Sequence, residues 1–201
     1  MKNQVLFGLL ILIISCTKEN NIKQSFGLKK ERYDYYENFL SKYVEKRDIE
    51  VWLPGGYDHT QSLPVLYMFV GQNIYHGIRG WDKKQSNHGW QVDETLDSLF
   101  SKGNIPKMIV VGVHNIGKKR YSEYTPAKPK SLVKKRMSNA DIWFREVYDK
   151  HDITSDKFLK FLVEELKPFI DRNYKTDSGR NSTFLAGSSM GGLISAYAIC
   201  E

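Results

Sequence analysis

The sequence predicts an α/β fold, a mostly parallel β-sheet flanked by helices. Two continuous apolar runs, Pro64-Val65-Leu66-Tyr67-Met68-Phe69-Val70 and Met108-Ile109-Val110-Val111-Gly112-Val113, have the length and composition of strands buried on both faces. Two further stretches, Trp90 to Leu99 and Asp156 to Ile170, repeat their apolar residues at helical spacing. A third strand, Ser182 to Ala186, runs directly into a serine bracketed by glycines. Strands alternating with helices in this order build a parallel sheet.

Composition bounds the answer. With 201 residues, 41% hydrophobic, 26% charged and 13% aromatic, the chain is long enough for one buried domain and too aromatic for a disordered one. The net charge of +7 gathers at Lys118-Lys119-Arg120 and at Lys128, Lys130, Lys134, Lys135 and Arg136. A solvated loop is the favoured reading, with a surface for anionic lipid or an acidic substrate as the second. No helix-turn-helix, zinc-finger or RNA-recognition pattern accompanies the charge, so no nucleic-acid partner is expected.

From the start, residues 1–16 (MKNQVLFGLLILIISC) carry one positive charge, Lys2, then an apolar run too short to span a bilayer. This reads as a signal peptide. Ile13-Ile14-Ser15-Cys16 resembles a bacterial lipobox, which implies acylation at Cys16, an exported chain and a membrane contact made through the lipid. Thr17 stands where an aspartate would retain some lipoproteins at the inner membrane, which points to the outer membrane. Residues 17–31 are polar and read as a flexible tether. The only other cysteine is Cys200, so no structural disulfide is expected.

Arg47 to Leu53 alternates polar and apolar residues before Pro54-Gly55-Gly56, the pattern of a half-buried strand ending in a turn. Within Trp90 to Leu99, Val92, Thr95, Leu96 and Leu99 share one helical face. Residues Tyr121 to Ser155 form the one long irregular stretch. Asp156 to Ile170 has an acidic start and an apolar face of Phe158, Phe161, Leu162, Leu166 and Phe169. The last helix, from about Met190, carries no stop signal after Ile199.

Gly187-Ser188-Ser189-Met190-Gly191 spells G-x-S-x-G. A serine hydroxyl is a weak nucleophile until a base takes its proton. What this motif supplies is geometry, a tight strand-to-helix turn that pushes the Ser189 hydroxyl out at the sheet's end. The positive end of the following helix then faces the place where an oxyanion would form, and the amide of Met190 is one donor to it. The second donor belongs on the loop after an earlier strand, where Gly71 lets the chain turn and the amide of Gln72 can face the substrate.

On these landmarks the chain resembles the esterase D-like branch of α/β hydrolases, which includes S-formylglutathione hydrolases, siderophore esterases, feruloyl esterases and mycolyltransferases. The resemblance runs from about Arg47 to the end, through Val51-Trp52-Leu53-Pro54, Gly71-Gln72-Asn73, Trp90-x-x-Asp93-Glu94, Val110-Val111-Gly112-Val113, Glu123-Tyr124-Thr125-Pro126, Glu165 to Asp171 and the serine motif. It implies Ser189 as nucleophile of a carboxylic-ester hydrolase, the amides of Gln72 and Met190 as oxyanion donors, and no cofactor. Residues 32–201 then form the N-terminal part of an α/β-hydrolase domain. Val70 departs from the pattern, because relatives often carry Asp there.

The family's order is Ser, then Asp or Glu, then His, and residues 190–201 contain neither Asp nor His. All five histidines precede Ser189; of these, His114 ends an apolar strand and is the one placed to substitute, although capping a loop is its favoured role. No H-x-H or HExxH spacing is present, so no metal site is expected. The expectation is therefore an α/β-hydrolase fold lacking the strands after the nucleophile turn, with an open apolar sheet edge. The competing reading is a catalytically impaired remnant or a non-enzymatic binding module. Trp143, Phe144 and Tyr148 are open to two roles, packing on an aromatic acyl group or on the sheet, the second favoured. Substrate candidates are feruloyl or acetyl esters of polysaccharide, siderophore esters and small acyl thioesters, unranked.

Overall fold

Six strands form one mixed sheet in the computed structural model, which describes residues 24–26, 32–75, 89–128, 150 and 152–201. They are β1 (Gln24–Phe26), β2 (Arg32–Phe39), β3 (Arg47–Leu53), β4 (Val65–Phe69), β5 (Ile109–Val113) and β6 (Thr183–Gly187), in spatial order β1-β2-β3-β5-β4-β6. The apolar runs become β4 and β5, which pair in parallel with each other, and β6 joins β4 in parallel. The first three strands run antiparallel to their neighbours, so the mostly parallel sheet that was expected is a mixed one, parallel across β5, β4 and β6. Short β1 lies inside the 17–31 segment read as a tether.

β3 corrects the half-buried reading, because it lies between β2 and β5 and both of its faces are covered. Ile49, Val51 and Leu53 point into the larger core, while Trp52 points into a smaller one with Ile74, Tyr75, Leu96 and Val110. The alternating pattern separates two buried faces rather than core from water.

Helix α1 (Val92–Ser101) covers the smaller core, its Asp93 and Glu94 in the first turn complementing the helix dipole. The larger core is covered by α2 (Arg120–Tyr124), α3 (Ser155–Lys160), a π-helical stretch Phe161–Leu166, α4 (Lys167–Asn173) and α5 (Met190–Cys200). Pro168 accounts for the π-helical stretch. It has no N–H to give to the carbonyl of Glu164, and its ring crowds that carbonyl, so the preceding turn widens. At the far end of α4 the Tyr174 hydroxyl donates to Asp34 at 2.9 Å and meets the Tyr36 hydroxyl at 2.7 Å, tying the helix to β2. Among the described residues no helix is long and apolar enough to cross a membrane. Cys16, His76, His88, Trp143, Phe144, Tyr148 and His151 lie outside the described residues.

Candidate active site

β6 delivers Ser189 into a turn whose backbone no ordinary residue prefers. Ser189 has φ 55° and ψ −122°, and α5 begins at the next residue. A conformation of this kind costs on the order of 1–3 kcal/mol and survives only where its surroundings enforce it. Here close backbone approach enforces it. A Cβ on Gly187 would lie 2.4 Å from the Gly191 carbonyl carbon, so strand and helix can meet only because Gly187 has no side chain. The Gly191 N–H donates to Ser188 O at 2.8 Å and that of Leu193 to Ser189 O at 3.1 Å. Met190, first residue of α5 and buried, has no intrahelical acceptor for its amide. Ser189 itself is exposed to approaching substrate.

The adjacent strand carries the second turn. Phe69 of β4 is paired with Gly187 of β6. Gln72 and Met190 each follow by three residues, so the two candidate oxyanion amides leave neighbouring strands at the same level. Val70 enters this turn with φ 68° and ψ 45°, left-handed backbone that a β-branched side chain strongly disfavours. Gly71 then lies flat against β5, where a Cβ would sit 2.6 Å from Gly112 C and Val113 N. The turn closes through Asn73 N–H to Val70 O at 3.0 Å and Ile74 N–H to Gly71 O at 3.2 Å. Beyond it, Trp90 N–H donates to Asn73 O at 2.8 Å and Val92 N–H to Ile74 O at 3.2 Å, which anchors the turn to the start of α1. The Gln72 carboxamide oxygen accepts from Asn115 N–H at 3.2 Å.

Neither described histidine reaches the serine. His59 is exposed on the turn after β3 and rests on the Tyr57 ring, centroids 4.6 Å apart. His114 follows β5 at the same edge as Ser189, but β4 intervenes, a lateral offset of about 10 Å at normal strand spacing. His114 is buried, with Nε2 3.7 Å from Glu50 Oε1 and its ring edge-on to Tyr35, so it is a core residue rather than a loop cap. Among the described residues Ser189 Oγ makes no hydrogen bond.

Sequence reasoning missed the support beneath the two turns. Arg47 grips Glu123 through Nη2–Oε1 at 2.6 Å and Nη1–Oε2 at 3.0 Å, in the large core. The guanidinium lies over the Phe158 and Phe161 rings, 5.2 and 5.1 Å from their centroids. Tyr124, next to Glu123, packs on Phe69 at 5.9 Å, directly before Val70. The Arg–Glu partnership has no local sequence signature, because the two residues are 76 apart.

A separate groove of about 900 Å³ lies along the outer side of β6, lined by Tyr67, Leu162, Val163, Phe184, Leu185 and Ile199 among others. Ser189, Met190 and Gln72 are not in its lining. β6 pairs only with β4 among the described residues, and Phe184 and Ile199 are 45% and 78% exposed.

Residues 41–201 match the family described as Putative esterase. YbbA, an uncharacterized protein of Bacillus subtilis, is 23% identical over 156 residues, 77% of this chain and 51% of its own length. An endo-1,4-beta-xylanase/feruloyl esterase of Xylanibacter ruminicola is 26% identical over 152 residues, 71% of this chain and 16% of its own. Among solved structures, an IroE-like serine hydrolase from Shewanella oneidensis superposes with TM-score 0.55 at 27% identity, covering 81% of this chain and 44% of that one. A CE1 ferulic acid esterase from Anaeromyces mucronatus gives TM-score 0.53 at 24% identity over 91% of this chain and 58% of that one. The chain thus spans less than two thirds of the length of each of these relatives. Because the family match runs from the segment before β3 through the serine turn to the end of α5, the chain belongs to the putative esterase family, and its fold is that of an α/β hydrolase through the Ser189 turn.

Proposed function

We propose that this chain carries the nucleophile and the oxyanion hole of a serine carboxylic-ester hydrolase. The observation that carries the reading is the pairing of two strained turns, Val70–Gln72 and Ser188–Met190, on adjacent parallel strands in register. Ser189 Oγ attacks the ester carbonyl, and its proton passes to a histidine. The carbonyl oxygen becomes an oxyanion held by the N–H groups of Gln72 and Met190. Collapse expels the alcohol, which takes the proton, and leaves an acyl-Ser189 ester that water hydrolyses to the free acid. Losing one oxyanion donor costs roughly 3–4 kcal/mol in comparable hydrolases, so the alignment of these two amides is a main source of rate.

The substrate class is a carboxylic ester, either a small molecule or an ester linked to polysaccharide. Feruloyl and sinapoyl esters are the first to try, because two of the structural neighbours are feruloyl esterases bound to ferulic acid and to sinapinate. The reading extends to an exported lipoprotein acylated at Cys16 and held at the outer membrane. Detergent-phase partition lost in Cys16→Ala would support that anchor, and unchanged partition would remove it.

A second reading, an impaired or binding-only chain, is favoured by the lack of any hydrogen bond to Ser189 Oγ among the described residues. Labelling with a fluorophosphonate, read by intact mass, separates the two. Stoichiometric labelling that Ser189→Ala abolishes supports the esterase. A folded chain that stays unlabelled supports the second reading, since loss of a triad histidine lowers kcat about 10⁶-fold.

A further inference from the structure

We propose that the side-chain carboxamide of Gln72 is a positioning group, fixing its own backbone N–H in the oxyanion hole by accepting a hydrogen bond from Asn115 N–H. The proposal rests on the esterase reading above.

The turn that presents Gln72 is not self-sufficient. Of its two internal hydrogen bonds, that from Ile74 N–H to Gly71 O holds the carbonyl side of the Gly71–Gln72 peptide, and that from Asn73 N–H to Val70 O closes the turn around it; the side that faces β5 is left to outside contacts. Its entry at Val70 is strained backbone, which relaxes unless external contacts hold it. Gly71 supplies one such contact by wedging against the β5 backbone. Val70 supplies another, with Cγ2 beside Gly191 in the first turn of α5. Both act ahead of Gln72. The bond from Asn115 N–H at 3.2 Å acts on Gln72 itself, and it comes from the loop after β5, the rigid central strand next to β4.

The chemistry of that bond fixes the carboxamide's orientation. A backbone N–H can face only the oxygen, so the oxygen is committed to Asn115 and the NH₂ group takes the other side. The side chain thus closes a bridge from β4's turn to β5's loop and pins the peptide between them. Loss of the bridge leaves the amide held only through Gly71 O and the turn backbone, with more freedom to tilt. An oxyanion donor acts through its alignment to the developing charge, so a small swing weakens the transition state while leaving ground-state binding nearly unchanged.

Gln72→Met tests this, since it keeps the side chain's length and removes the acceptor. Three readouts are taken on the same 201-residue chain: amide hydrogen exchange, thermal midpoint, and labelling rates of Ser189 with a fluorophosphonate and its thiono (P=S) counterpart. Sulfur accepts hydrogen bonds poorly, so the P=O to P=S rate ratio reports on the oxyanion donors specifically. In Gln72→Met we expect faster exchange at Asn115, a midpoint within about 4 °C of wild type, and P=O labelling slowed about 10-fold or more, against about 100-fold for a donor lost outright. The P=S rate should fall much less, so the ratio collapses. An equal fall for both probes would overturn the proposal in favour of general destabilisation. So would an unchanged P=O rate, or unchanged exchange at Asn115. A wild-type chain that never labels overturns the esterase reading and this proposal with it. A labelled wild type with an unaltered ratio in Gln72→Met overturns this proposal alone.

Discussion

Glu123→Gln should destabilise the fold far more than a surface charge change, and the structure sets the scale. Arg47 and Glu123 are each only 4% exposed and share two hydrogen bonds. Removing one partner of a buried pair typically costs about 3–5 kcal/mol, because the other charge stays desolvated. Two aromatic faces soften this for the guanidinium, by about 2 kcal/mol when such contacts are dry. Gln also retains an oxygen that can accept from Arg47. Glu123→Gln therefore belongs near 3 kcal/mol, and Arg47→Met, which leaves a buried carboxylate without its bidentate partner, near 5 kcal/mol. At about 3 °C per kcal/mol these shifts are roughly 10 and 15 °C in thermal midpoint. The double variant Arg47→Met/Glu123→Leu removes both charges and fills the space, so it should recover to within about 1 kcal/mol of wild type or exceed it. Urea unfolding with unchanged slopes measures all three. A cost under about 1 kcal/mol for Glu123→Gln would mean that the pair is solvated like a surface bridge. A double variant as unstable as Arg47→Met would show that shape, not charge, sets the cost.

Three further expectations follow from the same geometry. Gly187→Ala puts a Cβ where the Gly191 carbonyl carbon stands 2.4 Å away, so the serine turn must shift; Ser189 labelling should fall by roughly 100-fold or more, and wild-type labelling in this variant would refute the close-approach argument. Burial holds the hydroxyls of Tyr67, Tyr75, Tyr124 and Tyr174 above the ordinary tyrosine value of 10.0. The folded chain keeps protons that the unfolded chain releases there, so this stability is intact below pH 10 and is lost above it, by roughly 5 kcal/mol per pH unit for four groups. Tyrosinate absorbance and circular dichroism should change together, and titration with the fold intact would count against it. Finally, Phe184→Lys with Ile199→Glu puts charge on the outer side of β6, which among the described residues pairs only with β4, and charge is the standard protection of a strand so placed. Sedimentation should show less self-association than wild type, and an equally associated variant would place the sticky surface elsewhere.

Much of this architecture was legible because burial on both faces leaves an unambiguous trace. β4 and β5 read directly as continuous apolar runs, and the serine turn as a glycine-bracketed motif. β2 was not legible. Its Arg-Tyr-Asp-Tyr-Tyr-Glu-Asn-Phe looks like a polar surface, yet its tyrosine hydroxyls are spent on Asp93, Asp48 and Tyr174 while Tyr35 and Tyr36 are buried. Tyrosine is apolar or polar according to whether a partner for its hydroxyl exists, and that partner is distant in sequence. β3 was misjudged for a related reason, because Arg47 and Glu50 are polar residues with buried surroundings. At the candidate site, Ser189, Met190 and Gln72 are candidates named by motif and resemblance. The left-handed Val70 and the bond from Asn115 carry no sequence signal, since the first defies residue preference and the second is made by a backbone amide.

Val70 shows why such a violation is worth its strain. An aspartate or asparagine would occupy left-handed backbone more readily, and relatives of the resembled family often carry Asp at this place. Valine there is buried, with Cγ2 beside Gly191, so its side chain joins the Val70–Gln72 turn to the start of α5. Burial of a valine contributes about 1.5–3 kcal/mol, against roughly 1–2 kcal/mol for the left-handed backbone. The two nearly cancel, which leaves stability close to neutral and makes geometry the net result. Two strained residues, Val70 and Ser189, then sit on neighbouring strands whose parallel register pairs Phe69 with Gly187. A one-residue slip of β6 would carry Ser189 out of line with the Gln72 turn and turn Leu185 away from the larger core it packs against. Register, strain and core packing therefore enforce one another, and the candidate oxyanion hole is fixed by the same contacts that fix the sheet.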